Sequence, residues 1–235
     1  MPDVERARAL IAAAAGRAAL TEDAAKDVLA CFGLSVPRRV IVPCGTAVGD
    51  ALATLRPPFV LKVVAASILH KSDVGGVQVG LVDAAAAQAA VDDMAARLSD
   101  QAIEGWLLEE MAPRGIEMVI GGGVDPRFGP HVMLGLGGVT VELLEDVRFG
   151  ICPLRPTDVR QMLDRLRAVR LLRGWRGTVP ADEEAVVDAV MRVGGPDGLL
   201  MELEDQVAEL DINPLIVGTV GAVAVDARIV LQAHQ

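Results

Sequence analysis

Apolar residues recur along this chain at two spacings, every second position in some stretches and every third or fourth in others, and the spacing switches repeatedly. Residues 4–18 are rich in alanine with Arg and Glu interspersed, a helix by propensity but weakly amphipathic, which suggests a loosely docked arm. Thr21, followed by Glu22 and Asp23, marks the start of a second helix that stops at Gly33. Strands are expected at 39–42, 59–64 and 77–82, with helices at 46–55 and 84–98 and a break at Pro57 and Pro58. Beyond residue 105 the pattern is mostly strand: 106–111, 115–120, 132–136, 147–151, 207–217 and 222–230, with helices at 157–166 and 182–193. Glycines 121–123 read as a turn. The alternation implies an α/β or α+β sandwich in two lobes, an arm at 1–19, one lobe at 20–105 and another at 106–235, with a hinge near 104–113. No internal repeat or low-complexity linker interrupts it.

Composition narrows the class. The 235 residues are 52% hydrophobic, with a mean hydropathy of +0.41. Much of that is alanine, and the longest apolar runs are broken by charge or glycine within about ten residues, so no membrane span is expected. The N-terminus lacks the features of a secretory signal, which points to a cytoplasmic protein. Cys31, Cys44 and Cys152 are odd in number and widely spaced, as reduced thiols would be. A formal charge of -10 argues against a nucleic-acid partner, and 3% aromatics with no Tyr argue against base stacking.

Lysine is rare. Of three in the chain, Lys62 lies eight residues before His70 and Lys71 directly follows it. Lys62 sits in the apolar run Phe-Val-Leu-Lys-Val-Val, where a buried ammonium needs an anion such as a nucleotide phosphate, although an edge-strand lysine reaching solvent fits equally. His70 stands in a polar loop that ends in Gly75 and Gly76. A neutral imidazole there is a nucleophile able to carry a phosphoryl group, and the glycines would let backbone N–H groups approach phosphate; a histidine bonding a loop carbonyl is the plainer alternative. Glu209, Asp211 and Asn213 share a strand face, and an antiparallel neighbour would bring Asp226 beside them. Such oxygens suit magnesium, or form a solvated sheet face. Glu109 and Glu110 adjoin the expected hinge, one of them solvated by alternation, and Glu117 and Glu142 are further cleft candidates. His131 and His234 carry no motif.

Taken in order, these segments, together with Gly-Ile-Glu-Met-Val-Ile-Gly-Gly, Asp-Pro-Arg-Phe-Gly-Pro, Gly-Leu-Gly-Gly-Val-Thr-Val-Glu and Glu-Leu-Asp-Ile-Asn-Pro-Leu, resemble the ATP-grasp domain of the NDP-forming acyl-CoA synthetases over about residues 20–231. The nearest pattern is the short beta subunit of the ADP-forming acetyl-CoA synthetases, relatives of succinyl-CoA synthetase. The resemblance implies an α+β, two-lobed ATP-grasp fold with ATP or ADP between the lobes. It further implies interconversion of acyl-CoA, ADP and phosphate with the acid, CoA and ATP through a phosphohistidine. By motif, Lys62 would bind nucleotide phosphate, His70 would pass the phosphoryl group, Glu110 and Met111 would line the adenine pocket, and Asn213 and Asp226 would hold magnesium with Asp211 in support. Glu117, Gly75 and Gly76 complete the nucleotide set. The chain has no glycine-fingerprint Rossmann unit, so a separate CoA-binding alpha-type subunit would carry CoA and the small carboxylic acid. Two other readings are an ATP-dependent ligase that forms an acyl phosphate directly and a non-catalytic ATP-sensing subunit.

Overall fold

A computed structural model describes residues 1–65, 68, 71, 73–137 and 146–232. The chain divides into a larger unit, Met1–Val36 with Pro113–Gln235, and a smaller one, Pro37–Ala112. This differs from the expected division: the N-terminal segment folds with the larger unit, and the strand after residue 104 belongs to the smaller. The reason is tertiary pairing that a local pattern does not carry.

The larger unit starts with α1 (Val4–Ala13), capped by the Asp3 side chain, and α2 (Glu22–Cys31), capped by Thr21. Ala7 and Ile11 of α1 join Val28 and Leu29 of α2 in the larger core, so the expected loose arm is an integral layer. The link between the helices is tied to the far end of the chain, with Leu20 N–H donating to Ile229 O at 2.9 Å.

The smaller unit contains β1 (Arg39–Pro43), α3 (Gly49–Leu52), β2 (Phe59–Val64), β3 (Val77–Leu81), α4 (Ala84–Arg97) and β4 (Gly105–Glu110). Its strands form an antiparallel sheet in the order β1-β4-β2-β3. Phe59, Leu61 and Val63 point to one face with Trp106 and Leu108, where Ala87, Ala90 and Met94 of α4 pack on them. The helix expected over 46–55 shrinks to the single turn of α3.

The larger unit resumes with β5 (Ile116–Asp125), β6 (Gly129–Leu136), β7 (Val147–Ile151), α5 (Pro156–Asp164), α6 (Val169–Leu172), α7 (Glu183–Gly194), α8 (Leu199–Glu202), β8 (Val207–Val217), β9 (Ala222–Ala224) and β10 (Arg228–Leu231). Its sheet runs β10-β8-β5-β6-β7, with β9 also pairing β8, every described pair antiparallel. One face, through Ile120, Leu134, Leu210 and Ile212, packs with Val159 and Val190 of the helices. Gly121–Gly123, expected as a turn, lie within β5. A Cβ on Gly122 would stand 2.7 Å from both His131 O and Leu200 Cδ1, so close approach of α8 to the sheet, not chain reversal, selects glycine there. The reversal comes at 126–128, where Asp125 Oδ1 accepts from Arg127 N–H and Phe128 N–H.

Candidate functional site

Alternation along β2 puts Lys62 on the sheet face opposite Leu61 and Val63. Across the ladder Val60 pairs with Glu109 and Lys62 with Leu107, so Glu109 lies diagonal to Lys62. The Lys62 Nζ is 3.2 Å from Glu109 Oε2, with the two side chains 7% and 2% exposed. Burial removes the reading of a lysine reaching solvent. It also identifies a carboxylate, which the sequence reading had not assigned to Lys62, as a partner of its charge; the signal available was the odd-position parity shared by Leu107 and Glu109.

Glu110, one position on, faces differently. Its Oε1 accepts from Arg56 N–H at 3.0 Å and lies 3.7 Å from Arg38 Nη1, closing the corner that leads into β2. Met111 donates its N–H to Pro58 O at 2.9 Å and leaves its side chain exposed. Both residues thus sit at the end of β4, near the last residue of the smaller unit.

The segment entering β3 explains its two glycines by packing. Gly75 adopts a φ of +67°, and its carbonyl accepts from Arg97 Nη1 at 3.2 Å. Gly76 donates its N–H to Lys71 O at 2.7 Å and accepts from Val63 N–H at 2.9 Å. A Cβ on Gly76 would come within 2.6 Å of Val63 Cγ1. The Gly76 N–H expected to face phosphate is therefore engaged within the loop. His70, like Glu142 and His234, lies outside the described residues.

The acidic group belongs to β8 and its neighbours. Asp211 pairs with Arg228 of β10, and Leu215 pairs with Ala224 of β9. The strand expected over 222–230 breaks between these pairs, and the common register sets Asp226 opposite Asn213. Val225 N–H donates to Pro214 O at 3.1 Å across the break. Crowding by protein atoms, reinforced by the Asp226 carboxylate and partly offset by Arg228, raises the Asp211 pKa above the ordinary carboxylate value. Two neighbouring carboxylates, with Asn213 opposite Asp226 in the register, have the donor chemistry of a hard divalent cation such as magnesium. No cluster of three or more His, Cys, Asp or Glu with metal-binding placement occurs among the described residues. Glu117 presents an exposed side chain on β5 while its carbonyl accepts from Gly137 N–H at 2.7 Å. His131 is half-buried beside Gly123, and its Nδ1 has no hydrogen-bond partner among the described residues.

Sequence reasoning also missed a second buried ion pair. Lys26 Nζ lies 2.7 Å from Glu22 Oε1 within α2, the side chains 0% and 4% exposed. The four-residue spacing was its only signal.

Two units, each built on an antiparallel sheet, carry these residues, Lys62 in the smaller and Asp211 in the larger. The chain belongs to the ATP-grasp domain family, whose model matches residues 11–231. Within it, the chain is 35% identical to the acetate–CoA ligase (ADP-forming) I subunit beta of Pyrococcus furiosus, covering 98% of this chain and 100% of that subunit. It is 37% identical to the acetate–CoA ligase (ADP-forming) I of Archaeoglobus fulgidus, covering 87% of this chain but only 30% of that longer protein. Among solved structures it resembles the dinucleotide-forming acetyl-coenzyme A synthetase 1 of Ca. Korarchaeum cryptofilum in complex with coenzyme A and Mg-AMPPCP, its phosphohistidine segment pointing towards the nucleotide binding site. That likeness has a TM-score of 0.84 at 37% identity and covers 96% of this chain and 100% of that one.

Proposed function

We propose that this chain is the nucleotide-binding subunit of an ADP-forming acyl-CoA synthetase, which interconverts acyl-CoA, ADP and phosphate with the acid, CoA and ATP. The observation that carries this reading is the end-to-end likeness to a beta subunit in a chain that holds Lys62, His70, Asp211, Asn213 and Asp226 together.

In this reading Lys62 binds nucleotide phosphate, and Glu109 fixes the position of its ammonium. Glu110, Met111 and Glu117 serve the adenosine, and Gly75 and Gly76 shape the segment that follows His70. Asp211, Asn213 and Asp226 hold magnesium, which when bound offsets phosphate charge. The neutral His70 imidazole attacks the terminal phosphorus of ATP through a nitrogen lone pair, so no strong base is needed. An N–P bond forms as the P–O bond to ADP breaks, and ADP leaves with the electron pair; the reverse step makes ATP. CoA and the carboxylic acid bind mainly on a separate alpha-type subunit.

The test is ATP formation from acyl-CoA, ADP and phosphate by this chain with and without a CoA-binding alpha-type subunit. Turnover is expected only with both and is lost in His70→Ala. Full turnover in His70→Ala refutes the relay.

A further inference from the structure

Between α5 and α7 the chain carries five arginines in twelve residues, Arg165, Arg167, Arg170, Arg173 and Arg176, and no acid, although its formal charge is -10. The stretch belongs to the helical layer, since Leu166 and Leu172 enter the larger core on the sheet side of Leu210 and Ile212, opposite to Asp211. Arg173 has a structural role: its Nε donates to Glu183 Oε2 at 2.7 Å and its Nη2 to Asp164 Oδ1 at 2.6 Å, which clamps the end of α5 to the start of α7. The other four arginines are exposed, and no guanidinium among them makes a hydrogen bond or ion pair among the described residues. A tight loop stands at their centre. Ala181 N–H donates to Leu172 O at 2.8 Å, and Thr178 Oγ1 accepts from Trp175 N–H and donates to Trp175 O, each at 3.0 Å. Arg176, between Gly174 and Gly177, has a φ of +51°, the one positive value at a non-glycine residue among the described residues. That backbone conformation is unfavourable for a side chain, and it sets the Arg176 guanidinium 5.9 Å from the centroid of the Trp175 ring, with Arg170 at 5.8 Å. Trp175 is exposed, as are Leu171 and Val179 on either side of it in sequence.

We propose that Trp175 and the four exposed arginines form the docking surface for the separate alpha-type subunit, which meets them with carboxylates around an apolar acceptor for the indole; this rests on the two-subunit reading above. Tryptophan and arginine are the residues that most often dominate the energy of a protein interface. Arginines gathered without acids repel one another until a surface of opposite charge faces them, and that surface sets which partner binds and in what register. The chain matches a whole beta subunit but only 30% of a longer single-chain relative, so the rest of such a synthetase has to be held here by a non-covalent surface. A second copy of this chain is a poor occupant, because a two-fold contact would set the arginines against themselves. A nucleic acid is another poor one, since its phosphates would run past the patch onto the acidic remainder, whereas a protein needs carboxylates only opposite the arginines.

The experiment titrates the alpha-type subunit into a fixed low concentration of the full chain and reads ATP formation from acyl-CoA, ADP and phosphate, which gives the Kd of the pair and kcat at saturation. The variants are Trp175→Ala, the double change Arg167→Gln with Arg170→Gln, and, as a control, Arg6→Gln at an exposed position of α1. Melting temperature and Mg-ATP affinity of each chain alone establish that it is folded, and the arginine pair decides the matter if Trp175→Ala is not. Kd is expected to rise about tenfold or more in Trp175→Ala and in the arginine pair, with kcat at saturation within about twofold and Arg6→Gln within about twofold in both. Added salt should weaken the wild-type pair more steeply than the arginine variant. Unchanged Kd in both variants, or a lower kcat at unchanged Kd, overturns the docking surface and leaves the two-subunit reading standing. Binding of a labelled RNA oligonucleotide by wild type, lost in the variants while the Kd for the alpha-type subunit holds, also overturns it. Wild-type chain that neither binds the alpha-type subunit nor turns over with it overturns both.

Discussion

Replacing Glu109 by Gln removes a carboxylate charge 3.2 Å from Lys62 Nζ while keeping the shape of the side chain. Both partners are almost wholly buried, so the ammonium cannot recover its lost interaction from bulk water. Breaking a buried pair by neutralising one partner costs about 3 kcal/mol or more, roughly a hundredfold in the folding equilibrium. Lys62→Met should cost a comparable amount, because a buried carboxylate is then left behind. The double variant Lys62→Met with Glu109→Leu removes both charges, and its stability should return to within about 1 kcal/mol of the starting protein. The coupling in this cycle is therefore expected to be about 2 kcal/mol or more. Trp106 is 2% exposed in the core of the smaller unit and serves as a local reporter. The only other tryptophan is Trp175, so the cycle is run in a Trp175→Phe background. Urea unfolding followed by Trp106 fluorescence gives the four stabilities. Single variants within about 0.5 kcal/mol of the background, or additive effects in the double variant, would refute the view of this pair as a buried, mutually dependent unit.

Two further outcomes follow from the titrating groups. Asp211 holds its proton to higher pH in the folded protein than in the unfolded chain, so its contribution to stability is fully present below the ordinary carboxylate value and lost as pH rises through the raised one. Metal-free Asp211→Asn should accordingly melt higher than wild type near pH 7, with the gain disappearing in acid; an equal shift at both pH values would contradict the assignment. Burial pushes the Cys152 thiol up to about 11 and raises Cys31 as well, whereas Cys44 is exposed. Mass-resolved alkylation at neutral pH should label Cys44 first and Cys152 late, and prompt labelling of Cys152 would contradict its burial.

Much of the molecule was legible where local pattern and tertiary role agree. The apolar alternation of 59–64 marks β2, and the periodicity of α4 matches the buried positions Ala87, Ala90, Val91 and Met94. The acidic strand was legible too, and its break opposite Asn213 still leaves Asp226 facing it. Legibility failed where distant contacts decide. Three consecutive glycines look like a turn, yet Gly122 is required by Leu200 and His131 across the sheet. Residues 1–36 look peripheral, but they lie in the larger core because the last strand ties them there. The choice between Glu109 and Glu110 depends on strand pairing, which local alternation does not specify.

The most direct test of the account is intact-protein and peptide mass spectrometry at neutral to mildly alkaline pH after incubation with Mg-ATP and the alpha-type subunit, comparing wild type with His70→Ala. A phosphoryl gain on the peptide carrying His70, absent from the variant and lost in acid, is the expected result. Wild-type protein that binds ATP and supports turnover with no phosphoryl group on that peptide would contradict the relay.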